Sequence, residues 1–214
     1  MTPAPHAQPE TRSGAGDLIS RFVRELELVS GHATLANSEG EAAGQLAALA
    51  RAENVHSVAI GRGITVDLDA FVPPLSQAGI EIVRADQVAD GDRAAIRERI
   101  ARCDLGLAEA DYGIASTATL AVAADASRPG ALTLLPPLSV VILRAERIVP
   151  DLAALFAKLG PQAVAERRLT LITGPSRTAD IEKRIVMGVH GPRALHVTLI
   201  RSSWSERALD RSAR

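Results

Sequence analysis

Apolar side chains recur at intervals of three and four between Asp17 and Ser30, where Leu18, Ile19, Phe22, Val23, Leu26 and Val29 make one stripe on a helix. Asp17 is placed to cap that helix and Gly31 to stop it. A second helix is predicted from about Ser38 to Glu53, and the β-branched run Val55 to Ile60 reads as a strand ending at Gly61. The alternation continues. Pro73 and Pro74 begin or interrupt a helix around Asp69 to Gln77, Ile80 to Val83 is a strand, Asp92 to Arg102 a helix, and a strand starts near Asp104. Such an order argues a largely parallel sheet covered by helices.

The rhythm changes between Gly113 and Leu143, where Thr119 to Ala123, Leu132 to Leu135 and Ser139 to Leu143 follow one another without room for a crossover helix. They are expected to be hairpin-connected strands, with turns at Arg128-Pro129-Gly130 and Pro136-Pro137, so that the sheet becomes mixed. Pro150 then opens a helix to about Leu159, and Leu169 to Thr173 and Ala194 to Ile200 complete the strands. The fold class is therefore α/β: a mixed, mostly parallel sheet flanked by helices, with an N-terminal helix. Residues 1–16 read as a disordered tail, 17–201 as a single domain and 202–214 as a polar C-terminal tail.

Of 214 residues, 47% are apolar, enough for a buried core and too many for a disordered chain. The 24 Lys plus Arg nearly balance 25 Asp plus Glu, so no global field draws in a polyanion or a membrane surface. Five scattered aromatics (Phe22, Phe71, Tyr112, Phe156, Trp204) make no stacking platform, which argues against nucleic acid. The single cysteine, Cys103, excludes an internal disulfide and an iron–sulfur cluster held by this chain alone. No apolar run is long enough to span a membrane, and the first sixteen residues lack the apolar stretch of a secretory signal, so a cytoplasmic location is expected.

The densest functional cluster is Thr173-Gly174-Pro175-Ser176-Arg177-Thr178-Ala179-Asp180, after a predicted strand and before a stretch expected to be helical. Ligands of open α/β sheets bind in such places, and a helix start attracts anions. Gly174 lets the backbone approach a ligand, Ser176 and Thr178 can cap the helix, and Arg177 offers a planar fork for a carboxylate or phosphate. A purely capping role, with Arg177 paired to Asp180 or Glu182, gives the same string. His190 in Gly188-Val189-His190-Gly191-Pro192 can donate to an anion or serve as a hydrogen-bonded structural group. His196 lacks metal-motif spacing, and no metal site is assigned. Glu109 and Asp111 share strand parity, so they form either an acid–base pair or a solvated strand end; Thr117 and Thr119 likewise share a face. Gly61-Arg62-Gly63 lacks the third glycine of a dinucleotide fingerprint and is read as structural.

The strings GIASTATL (113 to 120), LLPPLSVVI (134 to 142), GPSRTADIE (174 to 182) and GVHGP (188 to 192), in that order, resemble the LUD domain family, in particular its LutC-like branch, also called YkgG-like. The resemblance implies a fold similar to the ribose-phosphate isomerase and CoA-transferase superfamily. It also implies an accessory role beside LutA-like and LutB-like iron–sulfur proteins in oxidising L-lactate to pyruvate, with no cluster on this chain. A stand-alone enzyme or a sensor for a sugar phosphate or acyl-CoA is the alternative that the superfamily suggests. Where relatives usually read acid-Thr-Gly-Thr, this chain has Ser116-Thr117-Ala118-Thr119, so that acid is missing and the glycine carries a methyl.

Overall fold

Helix α1 (Ala15–Leu28) turns its stripe inward, burying Phe22 and Leu26 completely. Asp17 lies inside its first turn, where the carboxylate accepts from Gly14 N at 3.1 Å, and Ser30 takes a positive φ of 62° as the chain leaves. The computed structural model describes residues 14–87, 92–166, 168–179, 185–187 and 191–201. Within them follow strand β1 (His32–Ala36), helix α2 (Glu39–Ala52), β2 (Ser57–Ile60), a short 3-10 turn running into α3 (Val72–Gln77), β3 (Glu81–Arg84), α4 (Arg93–Ala101) and β4 (Leu105–Glu109). The prolines of α3 sit in its first turn, where a missing N–H breaks no helical bond.

The second half comprises β5 (Tyr112–Ile114), β6 (Thr119–Ala124), the single turn α5 (Ala131–Leu134), β7 (Leu138–Arg144), β8 (Ile148–Val149), α6 (Leu152–Glu166, interrupted at Gly160), β9 (Arg168–Ile172), β10 (Arg177–Ala179), β11 (Ile185–Met187) and β12 (Ala194–Ile200). Six strands form a parallel sheet in the order β1-β12-β7-β4-β2-β3. Its central members, β4 and β7, are buried almost throughout, as the continuous apolar runs of a parallel sheet covered on both faces require. A separate four-stranded sheet, β8-β5-β6-β9, is mixed, with β6 antiparallel to β5 and β9, and β10 and β11 make a two-stranded antiparallel pair of their own.

One core lies between the parallel sheet and α2 and α3, with Leu46, Phe71 and Leu75 against Ile60, Leu107 and Ile142. On the opposite face, α4 and α5 cover β2 to β4 through Ile96, Ile100 and Leu132, while α1 and the second sheet cover β7 and β12 through Phe22, Leu26 and Leu120. Helix α6 packs Leu155 on the far side of the second sheet, against Ile114, Ala121 and Val149.

The α/β class, the N-terminal helix and most element positions agree with the sequence reading; strand β1 was not expected, and three further details differ. The antiparallel strands form their own sheet instead of joining the parallel one, so β6 and β7 are not a hairpin: β7 lies between β4 and β12, parallel to both. Leu132 to Leu135, expected as a strand, is mostly the helical turn α5, which sits directly on β4. The Leu132 carbonyl would lie 1.9 Å from any Cβ at Gly106, so this close approach needs glycine there. Residues 177–179, expected to start a helix, form the strand β10, paired antiparallel with β11.

Candidate functional site

The connections of β2 and β4 leave in opposite directions, β2 outward to β3 and β4 back toward β7, which creates a switch point at the carboxyl end of the sheet. A polar crevice of about 550 Å³ opens beside it, lined by the 61–69 segment together with Arg84, Asp86 and Gln87 after β3. Arg84 binds Asp86 at 3.0 Å and also pairs with Asp69. Its hydrogen bond to Asp86 is the chief cause that raises its pKa, with burial opposing. Burial pushes the Asp86 carboxyl up, but Arg84 and backbone hydrogen bonding outweigh it and hold the group below the usual carboxylate range.

Glu109, at the end of β4, is 2% exposed and turned onto the 64–66 backbone. Its carboxylate accepts from Ile64 N at 2.5 Å, Thr65 N at 3.0 Å, Val66 N at 3.2 Å and the Thr65 hydroxyl at 2.5 Å. These amides form a concave anion nest whose occupant is the protein's own carboxylate. Asp111, 5% exposed, instead accepts from Ala123 N at 2.8 Å and faces Arg128 at 3.4 Å. The two acids therefore have separate partners, and neither occupies the solvated strand end that their spacing also suggested. Gly61 and Gly63, read as structural, belong to the crevice wall.

The hydroxyl motifs converge elsewhere. Thr117 Oγ1 lies 2.7 Å from Thr119 Oγ1, which lies 2.7 Å from Thr173 Oγ1, so the 117–119 turn and the segment after β9 share one chain of hydroxyls. Ala118, between the two threonines, has φ 49° and is fully buried. Gly174 has φ 75°, and a Cβ there would come within 2.7 Å of the Val29 carbonyl, so its need for glycine comes from packing on the end of α1. Ser176 N donates to Pro192 O at 2.9 Å, fastening the two glycine-proline segments together.

These segments roof a cavity of about 270 Å³ between the two sheets, whose floor includes Ser139 and Leu195 and whose side is Thr133 and Leu134 of α5. It lies at the amino ends of β7 and β12, not at the carboxyl edge where the sequence reading placed a ligand, because β9 belongs to the second sheet. The structure thus places Gly174 and Ser176 on the lining of this cavity and joins Thr117 and Thr119 to it only through Thr173. Arg177 is exposed at the start of β10, and Thr178 follows in the same strand, so no helix start exists there to bind an anion. Asp180 and His190 lie outside the described residues.

Sequence reasoning missed Ser139, and it did not foresee that Thr173, first in its densest cluster, bonds Thr119. The available signal was a lone hydroxyl opening the apolar strand Leu-Ser-Val-Val-Ile-Leu, in phase with Val141 and Leu143. It also missed Arg84, Asp69 and Asp86, which only the tertiary fold gathers. Among the described residues no group of three or more His, Cys, Asp or Glu side chains could hold a metal ion, and no helix is long and apolar enough to cross a membrane. Cys103 is buried, and desolvation pushes its thiol up to about 11.

Fold and cavity define a layered α/β protein with a hydroxyl-rimmed pocket between its sheets. The LUD domain matches residues 19–200, and the chain belongs to the LUD domain family. It is 41% identical over 92 residues to the uncharacterized protein YkgG of Escherichia coli, covering 41% of this chain and 40% of that one. It is 31% identical over 115 residues to lactate utilization protein C of Halalkalibacterium halodurans, covering 51% of this chain and 49% of the relative. To the lactate utilization protein C of Deinococcus radiodurans it is 34% identical over 139 residues, covering 64% and 57%. The chain thus spans about half the length of the curated relatives it matches. The crystal structure of a DUF162 family protein from Deinococcus radiodurans superposes with a TM-score of 0.64 at 19% identity, over 88% of this chain and 99% of that one, a likeness of fold.

Proposed function

We propose that this protein is an accessory component of an iron–sulfur system that oxidises L-lactate to pyruvate, holding no cluster itself. The clusters would reside on LutA-like and LutB-like partners, and the inter-sheet cavity with Arg177 nearby would bind a small anionic ligand or dock a partner. The observation that carries the reading is that the Thr117–Thr119 turn is bonded through Thr173 to the Thr173–Ser176 segment that lines one cavity, in a chain similar to proteins named lactate utilization protein C. Arg177 is exposed, so its guanidinium is accessible to a charged group.

The test is a tagged pull-down from the native organism under anaerobic conditions, with mass spectrometry and a lactate-dependent dye-reduction assay on the eluate. Iron–sulfur partners with lactate activity are expected. A strain lacking this gene that grows normally on L-lactate as sole carbon source would refute the reading. For the ligand arm, Arg177→Ala is expected to weaken L-lactate or pyruvate binding about tenfold, the loss of one charge-assisted contact.

A second reading, a stand-alone enzyme for a sugar phosphate or acyl-CoA, is favoured by the polar crevice at the switch point. It requires turnover by the purified protein that is lost in Glu109→Gln or Asp111→Asn.

A further inference from the structure

The cavity between the sheets carries an observation that the lactate reading does not use. Ser139 lies on its floor and is 1% exposed, and among the described residues its hydroxyl has no hydrogen-bond partner. Of the other hydroxyls on the lining, Thr133 Oγ1 donates to Gly130 O at 3.2 Å, and the exposed Thr173 is joined to Thr119. Ser139 pairs with Gly106 and Leu195 across the ladder, on the face that also carries Val141 and Leu143. An apolar residue at this position would extend the core, whereas a buried hydroxyl without a partner is a cost to the fold. Among the described residues none that lines the cavity bears a charge, and Leu134, Leu171, Ile172, Pro175 and Leu195 make much of the wall apolar. A charge at the floor beside Ser139 would be desolvated without compensation, whereas one at the mouth, where Leu134 and Leu171 are exposed, would stay near solvent and Arg177.

We propose that the interior of this cavity is a binding site for an uncharged group, a small neutral molecule or the neutral end of a larger one, whose one oxygen or nitrogen pairs with the Ser139 hydroxyl. At roughly 30 Å³ per water in the liquid, the space of about 270 Å³ suits an occupant of fewer than about ten heavy atoms. The apolar wall receives the carbon body, and the orphan hydroxyl fixes its orientation, the usual division of labour in a small-molecule pocket. This goes beyond the proposed function, because it concerns the floor of the cavity and requires nothing of Arg177 or of a lactate system.

The test uses the full chain with methyl-labelled leucine and cyclohexanol as the probe, followed by NMR. Saturable shifts are expected in the methyls of Leu134, Leu171 and Leu195, which line the cavity. Ser139→Ala, which removes only the hydroxyl, is expected to weaken cyclohexanol binding by about fivefold or more while leaving the melting temperature unchanged or higher. Arg177→Ala is expected to bind the probe as the parent does. Absence of saturable shifts, undiminished affinity in Ser139→Ala, or dependence on Arg177 would each overturn the proposal. None of these outcomes bears on co-purification with iron–sulfur partners, so the two readings fail separately.

Discussion

Replacing Glu109 separates a structural acid from a catalytic one. In Glu109→Gln the amide oxygen can take the place of Oε2 and keep the bonds from Ile64 N, Thr65 N and Val66 N, while the new NH2 group donates to the Thr65 hydroxyl. The Thr65 hydroxyl hydrogen, which the carboxylate accepts in the parent, must turn to solvent, and three charge-assisted bonds become neutral ones. A bond to a charged group contributes about 1.5–3 kcal/mol and a neutral one about 0.5–1.5, so the gross loss is about 3 kcal/mol. Relief from burying a charge offsets part of it, and the expected net destabilisation is about 1–3 kcal/mol. Glu109→Ala strands the amides of residues 64, 65 and 66 and empties the nest. Its cost should exceed that of the glutamine variant, because the buried Val66 amide is left unpaired at about 1–3 kcal/mol and the bonds of the exposed residues 64 and 65 are lost as well. Urea denaturation followed by circular dichroism measures both, and hydrogen exchange should show residues 64–66 losing protection in the alanine variant. If Glu109→Gln matched the parent within about 0.5 kcal/mol, or if those amides kept their protection in Glu109→Ala, the nest would not be what this carboxylate supports. Loss of turnover at unchanged stability would then assign it to chemistry.

Three further expectations follow from particular positions. Ala118→Gly relieves a left-handed alanine, about 1–2 kcal/mol, and loses a buried methyl, about 0.8 kcal/mol; stability should therefore be unchanged or higher, and a loss above about 1 kcal/mol would contradict the backbone reading. His196 stacks on His32 with ring centroids 4.8 Å apart, and burial first, then the neighbouring histidine, lowers its pKa against a weaker pull from Glu53. Because the unfolded chain takes up that proton more readily, stability is full above the unfolded value of about 6.5 and falls as pH drops toward the folded one; His196→Phe should flatten the urea midpoint between about pH 7 and 5, and an unaltered pH slope would count against it. Cys103, its thiol raised to about 11 by burial, should resist an aromatic disulfide reagent at pH 8 until urea is added, and prompt labelling of the folded protein would show that the site opens.

The legible parts of the chain were those whose side-chain period matches their surroundings. The stripe of α1, the runs of β2 and β4 and the strand Ala194–Ile200 each face a single environment, so pattern and structure coincide. Edge strand β1, largely exposed, has no apolar alternation to read and exists through its pairing with β12. The α5 segment is apolar in a run too short to distinguish strand from helix, and a glycine in another strand decides the matter. For the site, the hydroxyls of residues 117, 119 and 176 were visible as motifs. That Thr119 meets Thr173, and that Ser139 lies beneath them, depends on two sheets packing face to face, which no local window contains.

Gly174 rests against the carbonyl of Val29, so the roof of the cavity hangs on the first helix of the domain. A ribosome delivers those two surfaces far apart in time: α1 emerges early and must wait until β9 and the glycine-proline turn have followed. The pocket is consequently completed late in synthesis, after the parallel strands through β7 are available to pair, and a nascent chain that stalls before residue 174 carries α1 without its lid.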